Sequence, residues 1–267
     1  MVQVLHTLPL SPPHCCAYLP GQTSRDRGFV VHHMEPITWQ SMLETGWRRS
    51  GMTIYQPACP FCIACRSLRL PVGDFEPDRT MRRLLRRNAD LEVRLTPVTI
   101  DEERCDLYGR YVTQRHAGQM SGSRREFEMF LGQSPVDTCE LEMRLGGRLV
   151  SVGTIDRAPG AWSCVYCYYD PDLPRRSLGT HNILSAIEWC AQHCAAGREA
   201  RLYLGYWVDG SKTMAYKARF SPHEVLQPEG RWRRIERAAL RTDPPIVETL
   251  SPQCLYEGSR SSGASSS

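Results

Sequence analysis

The chain has 267 residues, with 33 Lys and Arg against 29 Asp and Glu for a formal charge of +4, and it is 41% hydrophobic and 23% charged. That balance supplies enough apolar surface for a folded core, which excludes a disordered chain, and glycine and proline fall without a period, which excludes collagen and coiled coil. No run approaches the roughly 18 apolar residues of a membrane-spanning helix, and the length fits one large or two small domains that need no disulfide staples.

The first 13 residues, broken by Pro9, Pro12 and Pro13, read as extended and, lacking a basic start, not as a signal peptide. A cysteine-bearing unit follows over residues 14–95. It holds a turn at Tyr18–Gly21, a helix near Pro36–Thr45 and a strand over Arg66–Val72. Asp78 caps a predicted helix over Arg79–Asn88, in which Met81, Leu84 and Leu85 form the apolar stripe. A second unit spans residues 100–235. Two helices open it, the second with Ser123 and Glu126 as a capping box. A hairpin turning at Gly146–Gly147 and a strand AWSCVYCYY come next, then a helix over about Thr180–Ala195 and a strand ARLYLGYW, with MAYKARF as one more strand. The fold class expected is α/β with a mixed sheet. Residues 243–267, rich in proline and serine, read as a disordered tail.

Basic residues are almost all arginine: lysine occurs only at Lys212 and Lys217, which leaves 33 − 2 = 31 arginines. Codon bias explains that choice, and so does phosphate recognition, because guanidinium binds phosphate as a planar fork. Arg79, Arg82, Arg83, Arg86 and Arg87 crowd one predicted helix with no acid among them. They make either a solvated face or a contact with a polyanion that relieves their repulsion. Arg175, Arg176, Ser177 and Gly179 open the helix predicted over about Thr180–Ala195, as an ordinary cap or as an anion site at a helix start. There is no G-x-S-x-G or Walker motif, and the histidines lack metal-like spacing.

Twelve cysteines without a leader point to a reducing cytoplasm, where clustered cysteines more often bind metal than pair. Cys59, Cys62 and Cys65 form C-x-x-C-x-x-C, and Cys16 can complete a set of four. Reduced core thiols, an iron–sulfur cluster and zinc are the three readings. Cys164 and Cys167 also form C-x-x-C, but strand alternation puts them on opposite faces. In Leu202–Phe220, Tyr203, Tyr206, Trp207 and Tyr216 interleave with Lys212, Lys217 and Arg219. This is either a core strand with a basic hairpin or a surface for bases and phosphates.

Several segments resemble the arginyl/leucyl-tRNA–protein transferases, in family order over about residues 16–226. They are Cys16-x-Tyr-Leu-Pro-Gly21, Gly46-Trp-Arg-Arg-Ser-Gly51, the Tyr55–Cys65 stretch, Arg86-Arg-Asn-x-Asp-Leu91, Tyr169-Asp-Pro-Asp172, Arg176–Thr180, Tyr203–Trp207 and Met214–Phe220. The family usually carries a basic residue before Met214; here that position is Thr213, and the lysine is one earlier. The resemblance implies a cysteine-bearing N-terminal domain and a GNAT-like C-terminal domain. It implies transfer of an amino acid, leucine favoured and arginine the alternative, from aminoacyl-tRNA to proteins beginning with Asp or Glu. That reaction feeds N-degron degradation in the cytoplasm, with no cofactor required for the chemistry and an iron–sulfur cluster or zinc expected at Cys16, Cys59, Cys62 and Cys65. Donor RNA is then expected on Arg79, Arg82, Arg83, Arg86, Arg87, Arg175, Arg176, Ser177 and Gly179. Arg48, Arg49, Lys212 and Arg219 are candidates for the acceptor, and Tyr206, Tyr216 and Lys217 for the chemistry. A coenzyme A acetyltransferase and a non-catalytic RNA-binding protein are the competing readings.

Overall fold

A computed structural model describes residues 2–116, 120–211 and 213–236. The order is β1 (Val2–Thr7), β2 (His14–Cys15), β3 (Thr23–Ser24), β4 (Asp26–Met34), α1 (Pro36–Glu44), β5 (Arg48–Ser50), β6 (Thr53–Pro57) and β7 (Arg66–Pro71). Then come α2 (Arg79–Arg87), β8 (Leu91–Pro97), α3 (Glu102–Arg115), α4 (Arg124–Phe130), β9 (Thr138–Leu145), β10 (Arg148–Ala158) and β11 (Ala161–Tyr169). The described chain closes with α5 (Leu178–His193), β12 (Arg201–Trp207), β13 (His223–Leu226) and β14 (Trp232–Ile235).

An eight-stranded sheet in the order β14-β13-β7-β12-β11-β10-β9-β8 forms the middle layer. Every neighbouring pair in it is antiparallel except β11 and β12, which α5 connects. A meander of β8 to β11 followed by a helix and one parallel strand is GNAT-like, as expected. The helices start where their caps allow: Asp78 accepts from the Met81 N–H, Asp101 from Arg104 and Ser123 from Glu126. Glu126 does not close the capping box. Its carboxylate turns instead to Ser121 and the Tyr108 hydroxyl. Gly146 and Gly147, at φ 55° and 83°, make the two-residue turn between β9 and β10.

Strand alternation sends residues to two cores. Leu141, Met143, Ile155 and Leu202 pack under α2 and α5. Val152 and Tyr168 pack on the other face against Tyr108 and Phe127 of α3 and α4. A second sheet, β1-β4-β6-β5, lies on that second face with α1, where Trp39, Leu43 and Ile54 meet Ala158, Ala161 and Tyr203. The large sheet takes strands from both sequence units: β7 pairs with β12 and β13, and β8 with β9.

Two expectations change. MAYKARF is no strand, because Ala215–Arg219 form a 3-10 turn that buries Lys217 and Ala218 together. Cys164 and Cys167 share a face, because a bulge in β11 opposite Thr154/Ile155 shifts the alternation, pairing Cys164 with Ile155 and Cys167 with Gly153. The expected tail lies outside the described residues, as do Lys212 and Cys254. Among the described residues no helix is long and apolar enough to cross a membrane.

One ion pair ties the two sheets. Arg49 of β5 grips Asp156 of β10 with Nε to Oδ2 at 2.8 Å and Nη2 to Oδ1 at 2.7 Å, both side chains fully buried. Thr138 donates to the same carboxylate. We predict that Asp156→Ala, which strands a buried guanidinium, lowers stability by about 3–5 kcal/mol in urea unfolding. Pairing it with Arg49→Met should restore most of that loss; a single variant as stable as wild type would remove the pair from this role.

Candidate active site

β11 and β12 pair at only three positions, Ala161 with Arg201, Trp162 with Leu202 and Ser163 with Tyr203. Beyond them the strands part. The bulge in β11 and Gly205 in β12, at φ 80° within a register shift, turn the two backbones away from each other. The 3-10 turn at 215–219 sits against β12, and Lys217 Nζ donates to the Tyr206 carbonyl at 2.6 Å. Gly205 lies directly against that ammonium, since a Cβ there would be in ordinary contact with it at 3.5 Å. Burial, then the charge of Arg48, pushes the Lys217 pKa down to about 7. Cys164 and Cys65 also face Lys217. Tyr216, exposed, stands over Cys164, Cys167 and Tyr169.

The expected acceptor cations separate sharply. Arg49 is spent: besides Asp156 it serves the carbonyls of Gly51 and Gln133. This corrects its assignment to the acceptor, since no free edge of its fork remains. Arg48 is equally buried, at 4% exposure. Its Nη1 donates to Trp47 O at 2.6 Å and to Leu43 O at 3.5 Å, while its Nε and Nη2 are buried with no partner. The rings of Tyr203 and Tyr206 flank it, 5.1 and 5.6 Å from ring centroid to guanidinium. The Tyr206 hydroxyl is committed to Gly46 O at 2.8 Å, whereas the Tyr216 side chain is part-exposed, with burial beside Cys167, Cys164 and Tyr169 raising the pKa of its hydroxyl. Arg219 is exposed on the same turn as Lys217.

The RNA-binding candidates converge. Arg79, Arg82, Arg83, Arg86 and Arg87 are all exposed on α2, and none makes an ion pair among the described residues. Arg87 Nη1 reaches across to Arg175 O at 2.6 Å, and Asn88 Nδ2 to Arg176 O at 2.9 Å. The end of α2 is thereby clasped to the start of α5, which joins two basic segments into one face with exposed Arg175. Arg176 is less available, because Asp90 holds its fork at 2.7 and 2.8 Å. α5 begins at Ser177, held in the left-handed region at φ 46° with no side-chain cap, so its first N–H groups point outward. Gly179 serves packing: a Cβ there would meet the Tyr169 ring at 3.0 Å.

Cys16, Cys59, Cys62 and Cys65 line one cavity of about 410 Å³ together with Gly46, Ser67 and Tyr206. The N–H groups of Tyr18 and Leu19 each donate to Cys16 Sγ at 3.4 Å, and burial pushes the Cys65 thiol up to about 12. Among the described residues no three His, Cys, Asp or Glu side chains form a group able to hold a metal ion. Cys16, Cys59 and Cys62 nonetheless all lie close enough to Cys65 for their charges to act on it, so the four thiols share one neighbourhood.

Sequence reasoning missed an aromatic wall. Tyr111 of α3 packs edge-on to Tyr169 at 4.8 Å, and Phe130 and Tyr111 pack on Tyr166 at 5.0 and 6.2 Å. The only signal was the run of tyrosines in AWSCVYCYY.

The model of the arginine-tRNA-protein transferase N terminus matches residues 14–83, and that of its C terminus residues 103–227. An aspartate/glutamate leucyltransferase of Marinobacter nauticus is 39% identical over 84% of this chain and 94% of its own length. One from Pseudomonas aeruginosa is 41% identical over 82% of this chain and 93% of its own. Among solved structures, FemX has a TM-score of 0.44 at 10% identity over 73% of this chain and 67% of its own. L-PGS from Bacillus licheniformis has 0.42 at 9% identity, over 70% and 57%. With both halves matched by the family's descriptions and relatives aligned over most of their length, the chain belongs to the arginine-tRNA-protein transferase family.

Proposed function

We propose that this protein transfers leucine from Leu-tRNA to the α-amine of proteins that begin with Asp or Glu. The observation that carries the reading is the cleft between β11 and β12, which holds a lysine of low proton affinity beside a guanidinium with no acid partner. The relatives' name supports leucine over arginine as donor. The reading places the reaction in the cytoplasm, where charged tRNA is found, and marks the product for N-degron degradation.

The reaction is an ester aminolysis. The α-amine attacks the carbonyl carbon, a C–N bond forms, and the C–O bond to the ribose breaks. Two protons must leave the incoming ammonium nitrogen, the first to solvent before attack and the second, from the tetrahedral adduct, to the ribose oxygen. Near pH 7 Lys217 is about half neutral, so it takes the second proton as the C–N bond forms and delivers it to the leaving oxygen. The Tyr216 hydroxyl, whose raised pKa keeps its proton in place, can donate to the developing oxyanion. Holding ester and amine in contact is the larger contribution, since well-oriented pairs gain about 7–11 kcal/mol. That task falls to the basic face on α2 and at Arg175, which binds the tRNA phosphates.

The direct test is transfer of labelled leucine from Leu-tRNA, and separately arginine from Arg-tRNA, to peptides beginning with Asp, Glu or Ala. Leucine should reach the first two only. Inertness of Leu-tRNA with all three would end the reading.

Two predictions follow from the geometry. Below about pH 7 Lys217 is protonated and cannot act as base, so kcat/KM for an Asp-starting peptide should fall with an acid limb near that pH. Arg48 from β5, Cys164 from β11, Cys65 and the Tyr206 carbonyl are the groups that set this limb. Lys217→Met should cost roughly 10²–10⁴-fold and leave only the limb of the acceptor amine, at about pH 7.7–8; an unmoved limb would remove Lys217 as the base. Secondly, among the described residues the side chains of Arg79, Arg83 and Arg86 make no hydrogen bond, unlike those of Arg82 and Arg87. Changing all three to Glu should raise KM for Leu-tRNA at least about tenfold and flatten its salt dependence, with KM for the peptide unchanged. An unaltered tRNA constant would take α2 out of the RNA site.

A further inference from the structure

Arg48 and Arg49 are neighbours in β5, both with at most 5% exposure, and only one has a counter-charge. Arg49 uses its Nε and Nη2 edge to hold Asp156. The same edge of Arg48 is buried and empty-handed. The carboxylate nearest to it in the fold, Glu44, is already taken: Arg69 holds it at 2.6 Å and the Tyr203 hydroxyl at 2.8 Å. A buried charge with unmade hydrogen bonds is costly, more so than a neutral donor left alone. Lys217, itself buried and with no acid partner among the described residues, lies close enough for the Arg48 charge to lower its proton affinity. The positive charge that stays in place is that of Arg48, and an anion on its open edge would offset it.

We propose that Arg48 is the residue that selects the acidic acceptor, its Nε and Nη2 edge receiving the side-chain carboxylate of the N-terminal Asp or Glu in a two-pronged grip. The proposal rests on the transfer reading above and assigns the subsite that reading leaves open. Three further features fit it. The Tyr203 and Tyr206 rings confine the guanidinium from the sides, so the free edge is the direction left for a ligand. The cavity of about 410 Å³ is lined by Gly46 and Tyr206, the first two residues from Arg48 and the second in ring contact with it, while Arg48 itself is not on its wall. Ser67 Oγ on its wall is also buried without a partner, a second polar atom there that awaits a ligand. In an Asp or Glu residue the α-amine and the side-chain carboxylate are separated by a few bonds. A carboxylate on Arg48 therefore presents the amine toward Lys217, and one contact both selects and positions. An Asn or Gln side chain brings no charge to this place and leaves Arg48 without a counter-charge.

The test uses the full chain and four peptides that differ only in the first residue, Asp, Asn, Glu or Gln. Their binding is measured without tRNA, and their kcat/KM with Leu-tRNA. Wild type should favour Asp over Asn, and Glu over Gln, by at least about 30-fold, the low end for one partner of a buried charge pair. Arg48→Met should bring both ratios to within about twofold of unity through KM, with KM for Leu-tRNA unchanged, and Arg48→Lys should recover part of each ratio. A folded Arg48→Met that keeps the wild-type ratios overturns the proposal. Should that variant not fold, the ¹⁵N resonance of Arg48 Nε in wild type decides: it should shift with the Asp peptide and not with Asn, and no shift overturns the proposal. Selective, Arg48-dependent binding without any transfer would leave this site standing and sink the reaction instead. Transfer with Arg48-independent selection would do the reverse.

Discussion

The architecture turns on the brevity of one strand pairing. β11 and β12 run side by side for three residues and then separate, and nothing with a backbone ladder fills the gap. A parallel pair in the middle of a sheet normally continues, because each unpaired peptide group forfeits a hydrogen bond. Here Lys217 supplies one of the missing donors, to the Tyr206 carbonyl. The consequence is a lysine forced into an apolar gap, and with it a base available near neutral pH. The opening and the chemistry therefore have one cause, a bulge in β11 and a left-handed glycine in β12.

Electrostatics sorts the arginines into three kinds. Some are structural bolts, as Arg49 is on Asp156, or Arg104, which α3 lowers onto Glu140 and Glu142. Others stand in solvent on α2, where like charges at helical spacing repel each other. Arg48 belongs to neither group, being buried like a bolt and unpaired like a surface charge. Composition counts all of them alike. What divides them is which carboxylate the fold brings opposite, and that depends on contacts far apart in the chain.

Much of the secondary structure was legible because its causes are local. Asp78 and Ser123 announce their helices, and Gly146–Gly147 announces its turn. The basic face of α2 was legible for the same reason, as five arginines share nine residues. The clasp of Arg87 and Asn88 on Arg175 and Arg176 was not, since it joins positions 88 residues apart. Glu140 and Glu142 alternate with Leu141 and Met143 along β9, and Arg104, from a distant helix, lets both carboxylates sit in the interior. Burial then pushes Glu140 up to about 7. The shared face of Cys164 and Cys167 was hidden because one extra residue in a strand carries no compositional mark. Adjacent Arg48 and Arg49 were indistinguishable by type, and only their surroundings tell them apart.

The position of β7 has a bearing on how the molecule is made. It ends at Pro71, while its two neighbours in the sheet begin at Arg201 and His223. During synthesis, Leu68 and Leu70 leave the ribosome long before either flanking strand exists. The early segment must wait with an apolar strand exposed, and closing so long a loop delays folding. A fragment cut anywhere between α2 and α5 inherits half a core, so this protein is expected to lean on chaperones until translation passes β13.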